Sequence, residues 1–391
     1  MATVDLVRTQ AKLAGAGAAV GPRAPFEAVE RAVGGLDGDP GLVLIFPSGD
    51  LDARDAATQA RTAAGHARVA GMTGSGAISL GGAIESGCSA IAFDSSVPVG
   101  VGTDSSSDPR SAGRSAAAEA LFGLELDGNH AALLLFVDSE AGDQAEIVAG
   151  AYEVAGGRIP LAGGAAGGAT RAQFVDGEPL SRSVVAVAIV SAAPIGVGIS
   201  HGCVARGAPS IVTRSRGRAV LQLDGRPAEA VYLEKLGMGG VQLSDAEFEA
   251  IAMAHPLAQP ELRGVVRPRY VRGRAPAGGL VCATTIEANA PVVVCEQEPE
   301  ATVRSARAAV ADALQQLPGP AEAVLLFDCA ARSEWFGNPL ASHEIDSIVS
   351  SFGDHAPALA GTYTRGEIGR IRGAKGDRNF SVVVVAISSA R

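Results

Sequence analysis

The chain contains 391 residues, of which 47% are hydrophobic, 19% charged and 4% aromatic, and 50 are glycine. This length and globular balance suit two compact domains with many tight turns. A net charge of -10, with no long run of lysine or arginine, repels phosphate backbones and argues against a nucleic-acid partner.

The cysteines give no sign of a metal site or of a disulfide framework. They are odd in number, widely spaced and free of CxxC pairs: Cys88, Cys203, Cys282, Cys295 and Cys329. The N-terminal stretch lacks the continuous apolar centre of a secretory signal, and no segment approaches the roughly 20 apolar residues of a membrane span. We therefore expect a cytoplasmic protein without membrane insertion.

In chain order, residues 1–23 are predicted to form a pliable N-terminal arm or a short helix, and three copies of one unit follow. Each copy is an apolar strand ending in phenylalanine, a helix, and a second strand that turns at an Ala-Gly pair. The three strands are GLVLIF, AALLLF and EAVLLF, which end at Phe46, Phe136 and Phe327. Because these strands are apolar throughout, both of their faces should be buried, as in parallel strands covered by helices.

Two further segments, SAIAFDSSVPVGVGTD and SVVAVAIVSAAPIGVGIS, are each interpreted as a strand, a turn and a returning strand. The terminal FSVVVVAISSAR is interpreted as the first half of a third such hairpin. Other helices are predicted at 108–122, 227–237, 246–254 and 300–316. The predicted fold is therefore α/β (mixed α+β), with repeated strand-helix-strand units and adjoining antiparallel hairpins that form mixed sheets. We expect two domains, 24–238 and 239–391, divided at the Gly-rich GMGGVQLSD.

Several strings occur in the order typical of one known family. They are PLAGGAAGG, FVDGEPL, GVGISHGC, VTRSRGRAVLQLDGRPAEAVYLEKLG, LLFDCAAR and AGTYTRGEIG. Their joint order, with a helix start at Asp224 and the pair Gly366 and Glu367, resembles FIST proteins over roughly residues 36 to 388. On this basis residues 24–238 would be the FIST N-terminal domain and residues 239–391 the FIST C-terminal domain.

The resemblance implies an intracellular sensory protein of signal transduction that binds a small ligand, with amino acids as candidates. Some members of the family resemble haem-based nitric-oxide sensors, which makes haem the alternative ligand. The sequence carries no appended kinase, cyclase or methyl-accepting segment, so we expect a sensor of this kind to act through a separate signalling protein.

A candidate ligand site lies in the third unit, just beyond the carboxyl ends of adjacent predicted strands, where α/β sheets place ligands. Its members are Cys329, Arg332, Tyr363, Arg365 and Glu367. Arg332 could hold a carboxylate through two parallel hydrogen bonds and Glu367 an ammonium, which would suit an amino-acid-like zwitterion. The alternative is a salt bridge between Glu367 and Arg332 or Arg365 that ties two loops, with Cys329 as a small buried apolar residue.

His201 and a glycine loop are the remaining candidates for ligand contact. His201 precedes Gly202 at a predicted strand end, and it could contact a ligand, ligate haem, or serve as a hydrogen-bonded histidine that caps the hairpin. Gly163 and Gly164 open the loop GGAAGGAT, which has the spacing of a phosphate-binding loop but carries Ala169 in place of the required lysine. We interpret this loop as a tight turn that faces a ligand.

Enzyme classes find little support in the sequence. No serine has a GxSxG context, no HExxH occurs, and Asp50, Asp52 and Asp55 follow a strand as residues at a helix start do. The one concrete alternative is a Cys329 nucleophile with His343 as base, its thiolate favoured by Arg332. We expect ligand binding without catalysis, and a closed scaffold without a polar pocket is the third possibility.

Overall fold

The computed structural model describes residues 12–138, 140–261, 265–370 and 376–389. The strands of these residues form three six-stranded sheets and a separate eight-stranded sheet. The first sheet has the order β1 (Ala14–Val20), β6 (Gly87–Asp94), β2 (Pro40–Pro47), β3 (Arg68–Met72), β10 (Gln173–Val175), β11 (Glu178–Leu180). The second has the order β7 (Val99–Asp104), β12 (Val184–Ser191), β8 (His130–Val137), β9 (Leu161–Ala165), β24 (Glu367–Arg370), β25 (Asp377–Arg378). The third has the order β13 (Gly196–His201), β26 (Ser381–Ile387), β22 (Ala323–Cys329), β23 (Ala358–Thr364), β4 (Ala77–Ser79), β5 (Gly82–Ile84).

Helices lie between these strands in the sequence. They are α1 (Ala24–Gly34), α2 (Ala53–Ala64), α3 (Pro109–Leu121), α4 (Gln144–Ala155), α5 (Ala228–Lys235), α6 (Asp245–Ala254), α7 (Pro299–Leu314), α8 (Ala330–Phe336) and α9 (Asn338–Ser350). Two predicted helix starts are confirmed, since Asp52 accepts a hydrogen bond from the Asp55 amide and Asp108 from the Ser111 amide. The helix start expected at Asp224 is displaced, because α5 begins at Ala228. Among the described residues, no helix is long and apolar enough to cross a membrane.

Each six-stranded sheet contains one of the predicted repeats at its centre. The parallel pairs β2–β3, β8–β9 and β22–β23 are the two strands of the three units. Their terminal phenylalanines meet at the centre of the molecule, where the Phe46 ring lies 5.8 Å from those of Phe136 and Phe327, and Phe136 lies 6.0 Å from Phe327. The predicted fold class, with repeated units and mixed sheets, is confirmed.

The three sheets exchange strands in a ring, which the sequence did not indicate. After β3 the chain adds β4 and β5 to the third sheet, after β9 it adds β10 and β11 to the first, and after β23 it adds β24 and β25 to the second. The two segments interpreted as hairpins do form two strands each, but those strands do not pair with one another. Instead β7 pairs with β12, and β13 with β26. Each turn therefore connects two sheets rather than two strands of one sheet.

The predicted N-terminal arm is in part a strand, because residues 14–20 form β1 and pair with β6. Its glycines allow the strand to lie directly against α1: a Cβ on Gly17 would approach the Ala28 carbonyl oxygen to 2.2 Å. Gly102 on β7 and Gly198 on β13 pack in the same way against Ala116 and Ala309. Residues 1–11 of the predicted arm lie outside the described residues.

A second part of the molecule, which we call the inserted domain (residues 203–297), separates β13 from α7. At the corresponding points of the other repeats, β1 leads into α1 and β7 into α3 through short loops. Its strands are β14 (Cys203–Arg216), β15 (Ala219–Leu223), β16 (Arg226–Pro227), β17 (Leu257–Pro260), β18 (Val266–Arg269), β19 (Val271–Ala275), β20 (Gly279–Cys282) and β21 (Pro291–Gln297). The remaining three sheets and their helices form what we call the repeat body.

The inserted domain has its own hydrophobic core, to which both α5 and α6 contribute. The rings of Tyr232 on α5 and Phe248 on α6 are 6.0 Å apart. The predicted division into domains 24–238 and 239–391 stays a prediction. In the structure the helices on either side of it share this one core.

Candidate functional site

A cavity of about 420 Å³ lies where the inserted domain meets the repeat body. Cys329 and Thr364, the final residues of β22 and β23, are register partners at its floor. Arg365 follows directly, and the loop after β9 adds Gly168 and Arg171. The carboxyl ends of the parallel strands in the third repeat therefore form one side of the cavity, where a sheet of this kind binds ligands.

The other side of the cavity belongs to the inserted domain. Tyr270, between β18 and β19, packs its ring edge-on against Phe380 at 5.5 Å, and its amide donates a hydrogen bond of 3.1 Å to the Asn379 side chain. Glu249 on α6 and Arg272 on β19 complete this wall. Tyr270 is thus held rigidly between the two parts of the molecule, as a binding surface requires.

The charged side chains that line the cavity differ in how far their charges are already neutralised. Arg365 donates to Glu334 at 2.8 Å and to the Ser75 hydroxyl at 3.3 Å. Arg272 and Glu249 make no hydrogen bond or ion pair within the described ranges. A carboxylate ligand can therefore approach Arg272, and an ammonium can approach Glu249, without displacing a protein contact.

Other arginines surround Arg272. Burial and the neighbouring charges of Arg218 and Arg365 lower the pKa of Arg272, although its side chain still reaches solvent. Because a guanidinium keeps its charge at any physiological pH, these neighbours repel one another. The repulsion makes this wall of the cavity attractive to an anion.

A different ionic cluster is buried beneath the cavity and is built around Arg332, which is fully buried. Its Nε lies 3.1 Å from Asp328 Oδ1, and its Nη2 donates to Glu344. The guanidinium also donates to the carbonyl oxygens of Thr302 and Phe380. Burial and the charge of Glu344 raise the pKa of Asp328 well above its usual value. The guanidinium of Arg332 therefore stabilises the fold and is not available to a ligand.

Glu367 is fully buried as well, in a small hydrogen-bonded group below the cavity floor. It accepts hydrogen bonds from the Thr364 hydroxyl at 2.9 Å, from the Ser381 amide at 3.1 Å and from the Cys329 thiol. Burial raises the pKa of Glu367 to about 7. Neither side chain lines the cavity, so the structure does not support the predicted pairing of Arg332 with a ligand carboxylate and of Glu367 with an ammonium.

The alternative salt bridges also differ from those expected. Arg332 pairs with Asp328 and Glu344, and Arg365 pairs with Glu334, so neither pairs with Glu367. Among the candidate residues, the structure brings Cys329 and Arg365 to the cavity. The sequence allowed the positions of the strand ends to be predicted, but not whether each side chain is buried or lines the cavity.

Tyr363 and the two glycines lie elsewhere. Tyr363 is buried on the other face of β23 and borders a smaller cavity of about 220 Å³. Gly163 has a φ of 126°, and a Cβ there would lie 2.1 Å from the Leu135 carbonyl oxygen. A Cβ on Gly164 would lie 2.8 Å from the Thr364 methyl group. Gly163 permits close strand packing inside the second sheet and Gly164 close approach of β23 from the third sheet, which accounts for both glycines without a ligand.

His201 is at the end of β13, where its Nε2 lies 2.6 Å from the Val266 carbonyl oxygen of the inserted domain. Burial lowers the pKa of His201. Nε2 is therefore occupied, and Nδ1 is buried without a hydrogen-bond partner, so His201 presents no accessible ring nitrogen to a haem iron. Within the described residues, no cluster of three or more histidine, cysteine or acidic side chains could hold a metal ion.

The environment of Cys329 is the reverse of the one predicted for a nucleophile. Burial and the nearby charge of Glu367 raise the pKa of the Cys329 thiol well above its usual value. His343, the suggested base, is exposed on α9. The charge of Arg332 is neutralised by two carboxylates and does not activate the sulfur.

Comparison with known proteins identifies the family of the chain. Residues 41–226 match the FIST N domain and residues 228–370 match the FIST C domain. The chain belongs to the FIST family. Membership of this family implies a sensory role in signal transduction.

Similar proteins occur in mycobacteria. Uncharacterized protein Rv0628c of Mycobacterium tuberculosis (strain ATCC 25618 / H37Rv) is 31% identical over 233 residues, which cover 56% of this chain and 57% of that protein. Uncharacterized protein Mb0898c of Mycobacterium bovis is 30% identical over 233 residues, with the same coverage of 56% and 57%. The chain thus spans a little over half the length of these relatives.

Most of the cavity lining was not found by sequence reasoning, including its polar residues Arg171, Glu249, Tyr270 and Arg272. One signal was present, because the segment VRPRYVRGRA places four arginines on two short strands. Arginine at this density is unusual for strands that pack against a core, and it indicates internal carboxylates or a ligand. Internal carboxylates account for two of these arginines, since Arg267 and Arg269 pair with Asp377 at 3.0 and 2.9 Å.

Proposed function

We propose that this FIST protein is a sensor that binds a small zwitterionic metabolite, such as an amino acid, in the cavity between the repeat body and the inserted domain. The observation that carries the proposal is the pair of opposite charges, Arg272 and Glu249, which line one cavity without a partner in the described part of the chain. Arg272 would hold the carboxylate and Glu249 the ammonium.

The size and composition of the cavity support the same ligand class. Its volume of about 420 Å³ lies within the range of about 300 to 1,000 Å³ typical of small-molecule sites. The Tyr270 ring supplies an aromatic surface, while Thr364 and Cys329 form a floor on which a small side chain can rest. Arg365 supplies a further donor beside them.

Signalling would follow from the position of the ligand between two parts of the molecule. The inserted domain already contacts the repeat body through Asp377, which accepts from Arg267 and Arg269. A ligand bound by both parts would favour one relative placement over others. A separate signalling protein would then recognise that placement. The five cysteines are free and buried, which suits the reducing cytoplasm we propose as its location.

Isothermal titration calorimetry of the purified protein with a panel of amino acids tests this function. Arg272→Gln and Glu249→Gln should each weaken binding by about tenfold or more, because each removes one charge-assisted contact. Arg307→Gln is the matched control, since Arg307 is exposed on α7 and does not line the cavity. Unchanged affinity in both cavity variants would place the ligand elsewhere, and binding of none of the amino acids would refute the ligand class.

A further inference from the structure

The cavity has more positive charge than one zwitterion can neutralise. Arg171, Arg272 and Arg365 line it. Arg218 is adjacent to Arg272, because its carbonyl oxygen accepts a hydrogen bond of 2.8 Å from the amide of Cys282, the strand partner of Val271. Four arginines thus converge in a protein whose 32 basic residues are outnumbered by 42 acidic ones. Such a local reversal of sign indicates a site for an anion.

The two carboxylates of the cavity do not balance these arginines. Glu334 is held by Arg365 at 2.8 Å. Glu249 is the group we assign to the ligand ammonium. If the ligand carboxylate takes Arg272, the charge of Arg218 still has no counterpart among the described residues.

We infer that the ligand carries a second acid group, a carboxylate or a phosphate monoester, which binds on the Arg218 side of Arg272. The preferred ligand would then be an acidic amino acid rather than a neutral one. This inference rests on the proposed function, because it assumes that an amino acid binds in this cavity.

Matched pairs of ligands that differ only in the second acid group test the inference. The pairs are glutamate with glutamine, aspartate with asparagine, and O-phosphoserine with serine, each titrated into the intact protein by calorimetry. We expect at least one acid to bind about fivefold more tightly than its uncharged counterpart, the size of one partly exposed charge pair. The carboxylate pairs and the phosphate pair together identify which acid group is recognised.

The variant Arg218→Gln locates the effect. It should reduce the preference for the acid to about twofold or less, while the affinity for the uncharged ligand changes little. Arg307→Gln should keep the full preference. Raising the salt concentration from about 0.05 M to about 0.5 M should also reduce the preference in the wild-type protein, because salt screens exposed charges.

The outcomes of these titrations distinguish failure of this inference from failure of the proposed function. Equal affinity for every acid and its uncharged counterpart overturns the inference and leaves the proposed amino-acid sensor intact. A preference that persists in Arg218→Gln refutes the role given to that arginine. Failure of all six ligands to bind would refute the amino-acid function itself, and the inference with it.

Discussion

Two arginine sites in this molecule lie near the same strand ends and have opposite surroundings. Arg332 is fully buried between Asp328 and Glu344, and backbone carbonyl oxygens accept its other hydrogen atoms. Arg272 reaches solvent in the cavity, and its charged neighbours include Arg218 and Arg365. The first guanidinium is neutralised by the fold, whereas the second meets further positive charge. An arginine surrounded by like charge is thus the better candidate for ligand binding.

Among these predictions, the largest effect is expected for substitution of Arg332, which should lower the free energy of unfolding. Arg332→Ala would leave Asp328 and Glu344 buried without a counter-ion, and removal of one partner of a buried pair costs about 3 to 5 kcal/mol. Urea denaturation followed by circular dichroism measures the free energy of unfolding. Arg307→Ala, an exposed arginine, should stay within about 0.5 kcal/mol of wild type. A comparable small effect at Arg332 would show that the buried cluster is not needed for folding.

The buried carboxyl of Glu367 should make stability depend on pH. Its pKa rises from 4.5 to about 7 on folding, so the folded state binds more protons than the unfolded state between these values. The free energy of unfolding therefore falls as the pH rises through this window, by about 3 kcal/mol if the whole shift is realised. Glu367→Gln cannot ionise and should lack this decrease.

Denaturation of wild type and Glu367→Gln at several pH values between 5 and 8 compares the two slopes. The wild-type protein should lose stability relative to the variant as the pH increases. Parallel curves would mean that Glu367 keeps an ordinary pKa in the folded protein.

The environment of Cys329 predicts low reactivity. Because burial and Glu367 raise its pKa, alkylation by iodoacetamide at about pH 8 should be about tenfold or more slower than that of a free cysteine. Mass spectrometry of the digested protein measures the reaction at each cysteine separately. The buried Cys88 is the internal control. Alkylation of Cys329 at the rate of a free thiol would restore the thiol-enzyme hypothesis.

The smallest effect should appear at Arg272, and it sharpens the contrast with Arg332. Arg272→Gln removes no described ion pair and relieves repulsion by Arg218 and Arg365. Without ligand, its free energy of unfolding should lie within about 0.5 kcal/mol of wild type, or slightly above. A loss of several kcal/mol would assign Arg272 to the fold rather than to the ligand.

Much of the fold was predictable from local patterns, and its strand partners were not. The three strands ending in phenylalanine, the helices between them and the cap at Asp108 follow from apolar runs and capping residues. The exchange of strands between sheets joins residues far apart in the chain, such as Gly361 with Ile78. No local pattern encodes such a pairing. Strand β1 was missed although its AGAG repeats the glycine spacing of GVGT at 100–103 and of GVGI at 196–199.

For the site, sequence reasoning located the right strand ends and assigned the wrong depth. Cys329 and Arg365 do line the cavity. Arg332 is directed inward because Glu344, on a separate helix, offers it a buried carboxylate, and that contact depends on the packing of α9. The wall formed by Tyr270 and Arg272 comes from the inserted domain. Its placement over the strand ends results from tertiary packing, which local strand and helix patterns do not predict.

The carboxylate of Glu322 accepts hydrogen bonds from the amides of Leu13 and Ser389, at 3.4 and 3.2 Å. The two ends of the described chain therefore meet at one side chain. A circular permutant that joins residue 389 to residue 13 through a short linker and opens in an exposed loop would keep every strand pair. The order of the two family domains along the chain is one of several orders that this architecture permits.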